Sequence, residues 1–292
     1  MANKKLLHIL VFILKLGLTG VILWSIFNKM NFQQVMTSIA RQPLWLLAVL
    51  LLLTVLRHAG QYQTWSCALQ INPHYQLNRK EVLTSYIISQ PLRFVVPGGF
   101  GMTGKVIYIT NSSVWASGLS FLIERALIIW GIWAFAALGG AFYFTRMQLW
   151  LRLAIVAAVI SLPVWGYFIL GLKHKWQHLQ EHYLKYAPRI IGLQACVALI
   201  AGLQYWLLLR QAMPIGFAET LKRMMLTQVS MSIPITWVGL GLRESFAIHF
   251  LSDAGFQALD AVTTTLTLFI IQDVLAALVG AVVFIRTKKT GV

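Results

Sequence analysis

The chain has 292 residues, of which 58% are hydrophobic and 11% charged, and its mean hydropathy is +0.72. A soluble domain of this size has no interior large enough for that much apolar surface, so the composition excludes a water-soluble globular protein and points to a polytopic membrane protein. Lys and Arg number 24 against 8 acids, for a net +16, but the cations gather in short connections between apolar stretches. That is the pattern of an orientation signal and of contact with anionic lipid, and it speaks against nucleic acid as a partner.

In chain order, Met1 to Lys5 lead into an apolar run over 6–27. Lys15 interrupts that run and no small-x-small cleavage site follows, so it reads as a retained first helix rather than a signal peptide. Further stretches of about 20 residues or more, long enough to cross ~30 Å of hydrocarbon, fall near 44–68, 118–143, 149–171, 189–210 and 258–285. Two other apolar segments, 80–111 and 217–254, each contain proline and a glycine break: Pro97-Gly98-Gly99-Phe100-Gly101 in the first, Val238-Gly239-Leu240-Gly241-Leu242 in the second. Backbone freed at such a break needs protein or water partners, so each segment is expected to be a helix–break–helix that enters and leaves on one side.

A constant offset of 140 relates the two halves. It carries Gly99 to Gly239, Gly101 to Gly241, and Ala136-Ala137-Leu138-Gly139-Gly140-Ala141 onto Ala276-Ala277-Leu278-Val279-Gly280-Ala281. Residues 1–145 and 146–292 are thus expected to be two membrane repeats, each with three crossings and one re-entrant hairpin. An odd number of crossings inverts the second copy. The expected fold is all-α and polytopic, with about six transmembrane helices plus two re-entrant hairpins. With the N-terminus inside, Lys4-Lys5, Arg79-Lys80, the 172–188 loop and the tail Arg286, Lys288 and Lys289 are cytoplasmic. The opposite face holds little beyond Lys29, Arg41 and Arg146, as the positive-inside rule requires. This gives a multi-pass protein of the cytoplasmic membrane with both termini inside.

The charges within apolar segments are the candidate site. Glu124, Glu244 and Asp273 lie there, as do Arg93, Lys105, Arg125 and Arg243. An unpaired charge at a helix centre costs ~2.5–3.5 kcal/mol or more, so these groups should pair or face a wet cavity. Arg93 and Lys105 flank one break, and Arg243 and Glu244 follow the other, which suggests a shared anion site aided by half-helix N-termini. Gly99 through Lys105 fits seven positions of a phosphate loop, but Val106 stands where Ser or Thr should hold Mg²⁺. His174, His178 and His182 share a helical face and read as a solvated connector. His249 and Asp253, at i and i+4, read as a hydrogen-bonded pair, with a proton relay as the alternative. Cys67 and Cys196 fall in different spans, and no metal, cofactor or catalytic set is indicated.

At Pro97–Gly101 with Lys105, Glu124-Arg125, Pro234 and Gly239-Leu240-Gly241-Leu242-Arg243-Glu244, the chain resembles the membrane (flippase-like) domain family of lysylphosphatidylglycerol synthases. It departs from the family at Met102, where an acid is common, and at Lys105, where Arg is common. The soluble aminoacyl-transferase domain is absent from this sequence. The resemblance implies movement of a phospholipid or polyprenyl-type lipid between leaflets. Arg93, Lys105 and Arg243 would hold the headgroup phosphate, Glu244 would orient Arg243, and Glu124 would pair with Arg125. Asp273 or Glu124 would be the candidate for ion coupling, and a second copy or a lipid-modifying enzyme a partner. The alternatives kept open are a membrane-embedded transferase acting on a lipid-linked substrate, and a non-transporting partner subunit of a lipid-modifying enzyme.

Overall fold

The computed structural model describes residues 13, 17–26, 32–95, 97–172 and 174–287; of the side chains at 95–101 and 175 nothing is described. The described residues are mostly helical, with no strand among them. Two short helices, α1 (Gly17–Ile26) and α2 (Phe32–Ala40), come first. There follow α3 (Leu44–Leu69), α4 (Arg79–Val95), a 3₁₀ segment (Pro97–Tyr108), α5 (Val114–Tyr143) and α6 (Leu149–Leu172). After a 3₁₀ turn, α7 (Gln180–Ala212), α8 (Phe217–Gln228) and α9 (Leu242–Ser252) lead to a last span, in which α10 (Ala258–Phe269) and α11 (Leu275–Arg286) join through a π-helical turn.

Five of these spans are long and apolar enough to cross a membrane: Leu44–Leu69, Val114–Tyr143, Leu149–Leu172, Trp176–Ala212 and Ala258–Arg286. Half of the expected first crossing, 6–27, lies outside the described residues, which hold Ile13 and its Gly17–Ile26 portion. Helix α6 shows what surrounds the bundle. Leu153, Ile160, Leu162, Trp165 and Phe168 are all exposed along it, an apolar surface far beyond what water tolerates and suited to lipid.

Both broken segments return to the side they left. Thr110 donates its backbone N–H to the Glu81 carboxylate, and the Asn111 amide donates to the Gln76 carbonyl at 2.6 Å, so the ends of the first hairpin are tied together. Its return arm is 3₁₀ rather than α, which glycine-rich Pro97–Gly104 favours by its low helix propensity. The tighter winding matters for length. Twelve 3₁₀ residues at ~2.0 Å rise reach ~24 Å, close to the ~26 Å of the seventeen residues of α4, so unequal arms match. In the second hairpin, Arg223 on α8 donates to the Phe250 carbonyl on α9 at 2.5 Å, again joining outgoing and returning arms.

The packing of α3 on α7 fixes how the hairpins face. Gln204 donates to Thr54 Oγ1 at 2.9 Å and Gln194 donates to Thr64 Oγ1 at 2.8 Å. As numbers rise along α3 they fall along α7, so the helices run antiparallel. The first hairpin starts beyond the end of α3 and the second beyond the end of α7, so they enter from opposite ends of the bundle. The two hydrogen bonds also exchange under the offset of 140, since Thr54 corresponds to Gln194 and Thr64 to Gln204.

The duplicated small-residue motif has a related use. A Cβ on Gly280 of α11 would stand 2.5 Å from the Ile87 carbonyl oxygen of α4, and one on Gly139 of α5 would stand 2.8 Å from the Lys222 carbonyl oxygen of α8. The final helix of each half therefore presses a bare backbone against the hairpin of the other half, the close approach that small residues permit where lipid removes the hydrophobic drive.

Candidate functional site

The hairpin tips meet at the centre. Trp237 donates its indole N–H to the Phe94 carbonyl at 3.1 Å, and the two rings pack edge to face with centroids 5.9 Å apart. The second tip is wound tightly: Val238 has φ 54° and Gly239 has φ 79°. A β-branched residue in the left-handed region is strained, and such strain gathers at functional turns. Gly241, at φ 81°, opens α9; its backbone N–H donates to Glu244 Oε2 at 2.6 Å, half of a capping box. Gly99 and Gly101 lie in the 3₁₀ segment, and their surroundings fall outside the described residues.

Beside the joined tips lies a cavity of about 340 Å³, within the range of small-ligand sites. Its walls come from α3, α5, α7 and both hairpins, and its polar lining includes Arg57, Arg93, Arg125, Gln90 and Thr236. Arg57 falls at the middle of the 26-residue α3, and Asp273 at the middle of the span Ala258–Arg286. The polar layer is therefore at mid-depth, where transporters with paired broken helices hold their substrates.

The sequence candidates divide into three buried arrangements. Arg93 Nη1 donates to Asp273 Oδ1 at 2.8 Å, joining the first hairpin to the π-helical turn. Arg243 lies with Nη1 3.7 Å from Asp273 Oδ2 and donates from Nε to Glu244 Oε1 at 3.2 Å. Asp273 thus stands between an arginine of each hairpin. The π turn that carries it adds a residue to the helical register, a device found often at functional sites. Arg243, Glu244 and Asp273 sit behind the cavity wall rather than on it, whereas Gly239 lines it and Gly241 does not.

Lys105 and Glu124 form the third arrangement, and here the structure departs from the expected pairing. Glu124 bonds Lys105, not Arg125. Glu124 is met by the Lys105 ammonium of the 3₁₀ arm, while Arg125, ~100° further round α5, is directed to the Met102 sulfur. The Lys105 ammonium also lies 3.9 Å from the centroid of Trp65 and 5.2 Å from that of Phe121. At 1% exposure it is held by a carboxylate and two ring faces, which pins the return arm of the first hairpin between α3 and α5.

Arg57 and Arg125 remain. Neither has a carboxylate oxygen within 4.0 Å among the described residues. Among the described residues, Arg57 Nε is buried without a hydrogen-bond partner, and Arg125 Nη1 makes a 3.9 Å contact to Met102 sulfur. Next to Arg57, His58 contacts the Gln272 carbonyl through Nε2 at 2.9 Å and the Tyr86 hydroxyl through Nδ1 at 2.7 Å. A carbonyl only accepts, so Nε2 carries the proton, and in the neutral ring Nδ1 accepts from Tyr86. Sequence reasoning passed over Arg57; the available signal was an arginine preceded by Leu50-Leu51-Leu52-Leu53-Thr54-Val55-Leu56 in mid-span.

The other histidine readings also resolve. His182 contacts the Gln70 carbonyl and His174 the Gln177 amide oxygen, and no metal-holding group of His, Cys, Asp and Glu occurs among the described residues. Asp253 accepts from the Tyr143 hydroxyl rather than pairing with His249, whose ring packs on Phe250. Cys67 and Cys196 are free thiols. No protein-family model matches the chain, and no curated protein matches it.

Proposed function

We propose that the chain is a lipid translocase of the cytoplasmic membrane, with both termini inside, that passes the phosphate-bearing head of a phospholipid or polyprenyl-linked lipid between leaflets. One observation carries the reading: two guanidinium groups without carboxylate partners among the described residues, Arg57 and Arg125, line a mid-depth cavity where hairpins from opposite ends of the bundle touch. Cations inside membrane-spanning helices that face a cavity mark ion and substrate paths. The head would lodge against these arginines while its chains stay in lipid, and the opposed hairpins give each face of the membrane one movable wall. Arg93 and Arg243, both on Asp273, tie the two walls to one helix, so a shift at either hairpin is felt at the other. The sequence resemblance to the flippase-like domain family supports the same reading.

The test is leaflet exchange of headgroup-labelled lipid in vesicles containing the purified protein. The expected result is exchange above protein-free vesicles that falls by roughly tenfold or more in Arg57→Ala and in Arg125→Ala. Exchange indifferent to both substitutions, or none in the wild type, overturns the proposal.

A further inference from the structure

The cavity's charge arrangement bears on which head it takes. The mid-depth cluster holds five cations: Arg57, Arg93, Lys105, Arg125 and Arg243, of which Lys105 and Arg243 are buried and the other three half-buried. It holds three carboxylates, Glu124, Glu244 and Asp273, each bonded to a cation of the cluster. Two positive charges are left, and the geometry puts them on the cavity wall at Arg57 and Arg125.

The remaining five acids are no help to a bound cation. Glu81 is taken by Thr110, Glu219 by Lys222 and Arg223, Asp253 by Tyr143, and Asp260 by the Gln257 N–H. Glu181 is exposed in the first turn of α7, at the end of the bundle. A zwitterionic head would bring an ammonium into a cavity whose one lining carboxylate, Glu124, is already held by Lys105.

We propose that the cavity selects a phosphate dianion: the head of a lipid phosphomonoester, or free inorganic phosphate, in preference to a phosphodiester head. This rests on the translocase reading above and narrows its substrate. A monoester has a second pKa of ~6 and carries about −1.5 to −2 charge at neutral pH, with three terminal oxygens. Those oxygens match two guanidinium forks, each of which binds two in parallel. A phosphodiester carries one charge and two free oxygens, so it leaves one arginine uncompensated in a medium of low dielectric.

Binding to the purified wild-type protein, measured in detergent with phosphatidic acid, phosphatidylglycerol, phosphatidylcholine and inorganic phosphate, tests this. At about pH 8 phosphatidic acid should bind roughly tenfold or more tighter than phosphatidylglycerol, and the advantage should vanish at about pH 5, where the monoester loses its second charge. Arg57→Gln and Arg125→Gln should each abolish that advantage. Equal binding of phosphatidic acid and phosphatidylglycerol at the higher pH, both lost in Arg57→Gln, overturns the dianion preference and leaves the translocase reading standing. Inorganic phosphate binding as tightly as phosphatidic acid supports the dianion preference and overturns a lipid as its source. Preference for phosphatidylcholine overturns the inference outright. The wild-type comparison across pH needs no variant to fold.

Discussion

Arg93 reaches across 180 positions of sequence to donate to Asp273 at 2.8 Å, and the same carboxylate lies 3.7 Å from Arg243. One acid on the last span thus balances an arginine from each hairpin. Asp273→Asn removes that shared charge, leaves Arg93 without its carboxylate and leaves Arg243 with Glu244 alone. Breaking a buried pair from one side costs ~3–5 kcal/mol. The variant should therefore lower the thermal midpoint in detergent, and leaflet exchange should fall with it. Asp273→Glu, which keeps the charge, should recover part of both. An unchanged melting curve for Asp273→Asn would show that the acid carries no structural load.

Lys105 and Glu124 call for a different experiment, because their pair sits in a box of rings rather than at a joint between hairpins. Lys105→Met alone strands a buried carboxylate and should destabilise by ~3–5 kcal/mol. Adding Glu124→Leu removes the stranded group and should restore most of that loss, since well-packed apolar replacements of buried pairs are often neutral. A double variant no more stable than the single one would mean that the pair is more than a pin. A double variant that folds and still binds lipid phosphate would place recognition with the arginines.

The glycines make a graded series. Gly280→Ala puts a methyl 2.5 Å from the Ile87 carbonyl oxygen, a clash that only separation of α11 from α4 relieves. Overpacking of this kind costs ~1–3 kcal/mol. Gly192, inside α7, has no atom within 4 Å of its would-be Cβ, so Gly192→Ala should be neutral or stabilising by up to ~1 kcal/mol. Thermal melts of the two variants side by side separate close approach from general intolerance of glycine replacement.

Comparison of these residues with the sequence shows where local reading stops. The spans and both broken segments were legible because twenty apolar residues, or a proline with paired glycines, carry their own signal. The duplicated Ala-Ala-Leu motif was visible as a repeat, but its purpose, a bare backbone against the other half's hairpin, exists only once the halves meet. Partnership was least legible. Glu124 sits beside Arg125 in sequence yet turns to Lys105, because folding brings the distant ammonium to it. Arg57 was hidden for a related reason: a lone arginine in a span looks like a snorkelling side chain until a cavity opens beside it.

Accessibility from each side tests the opposed hairpins without reference to any substrate. Cys67 is buried and Cys196 exposed, so a Cys196→Ala background is needed before single cysteines are introduced. Lys80 and Asn111 flank the first hairpin, whose ends are joined through Glu81 and Gln76; cysteines there should label from the same face. Ser252 stands at the end of α9, whose Phe250 carbonyl meets Arg223, and a cysteine there should label from the opposite face. The opposed entry of the hairpins follows from the antiparallel run of α3 and α7, which the crossed bonds of Thr54 with Gln204 and Thr64 with Gln194 require. Lys80 and Asn111 labelling from different faces would make the first segment a full crossing. It would also turn the inverted halves into parallel ones, and the mid-depth meeting of Phe94 and Trp237 would lose its meaning as a junction between two movable walls.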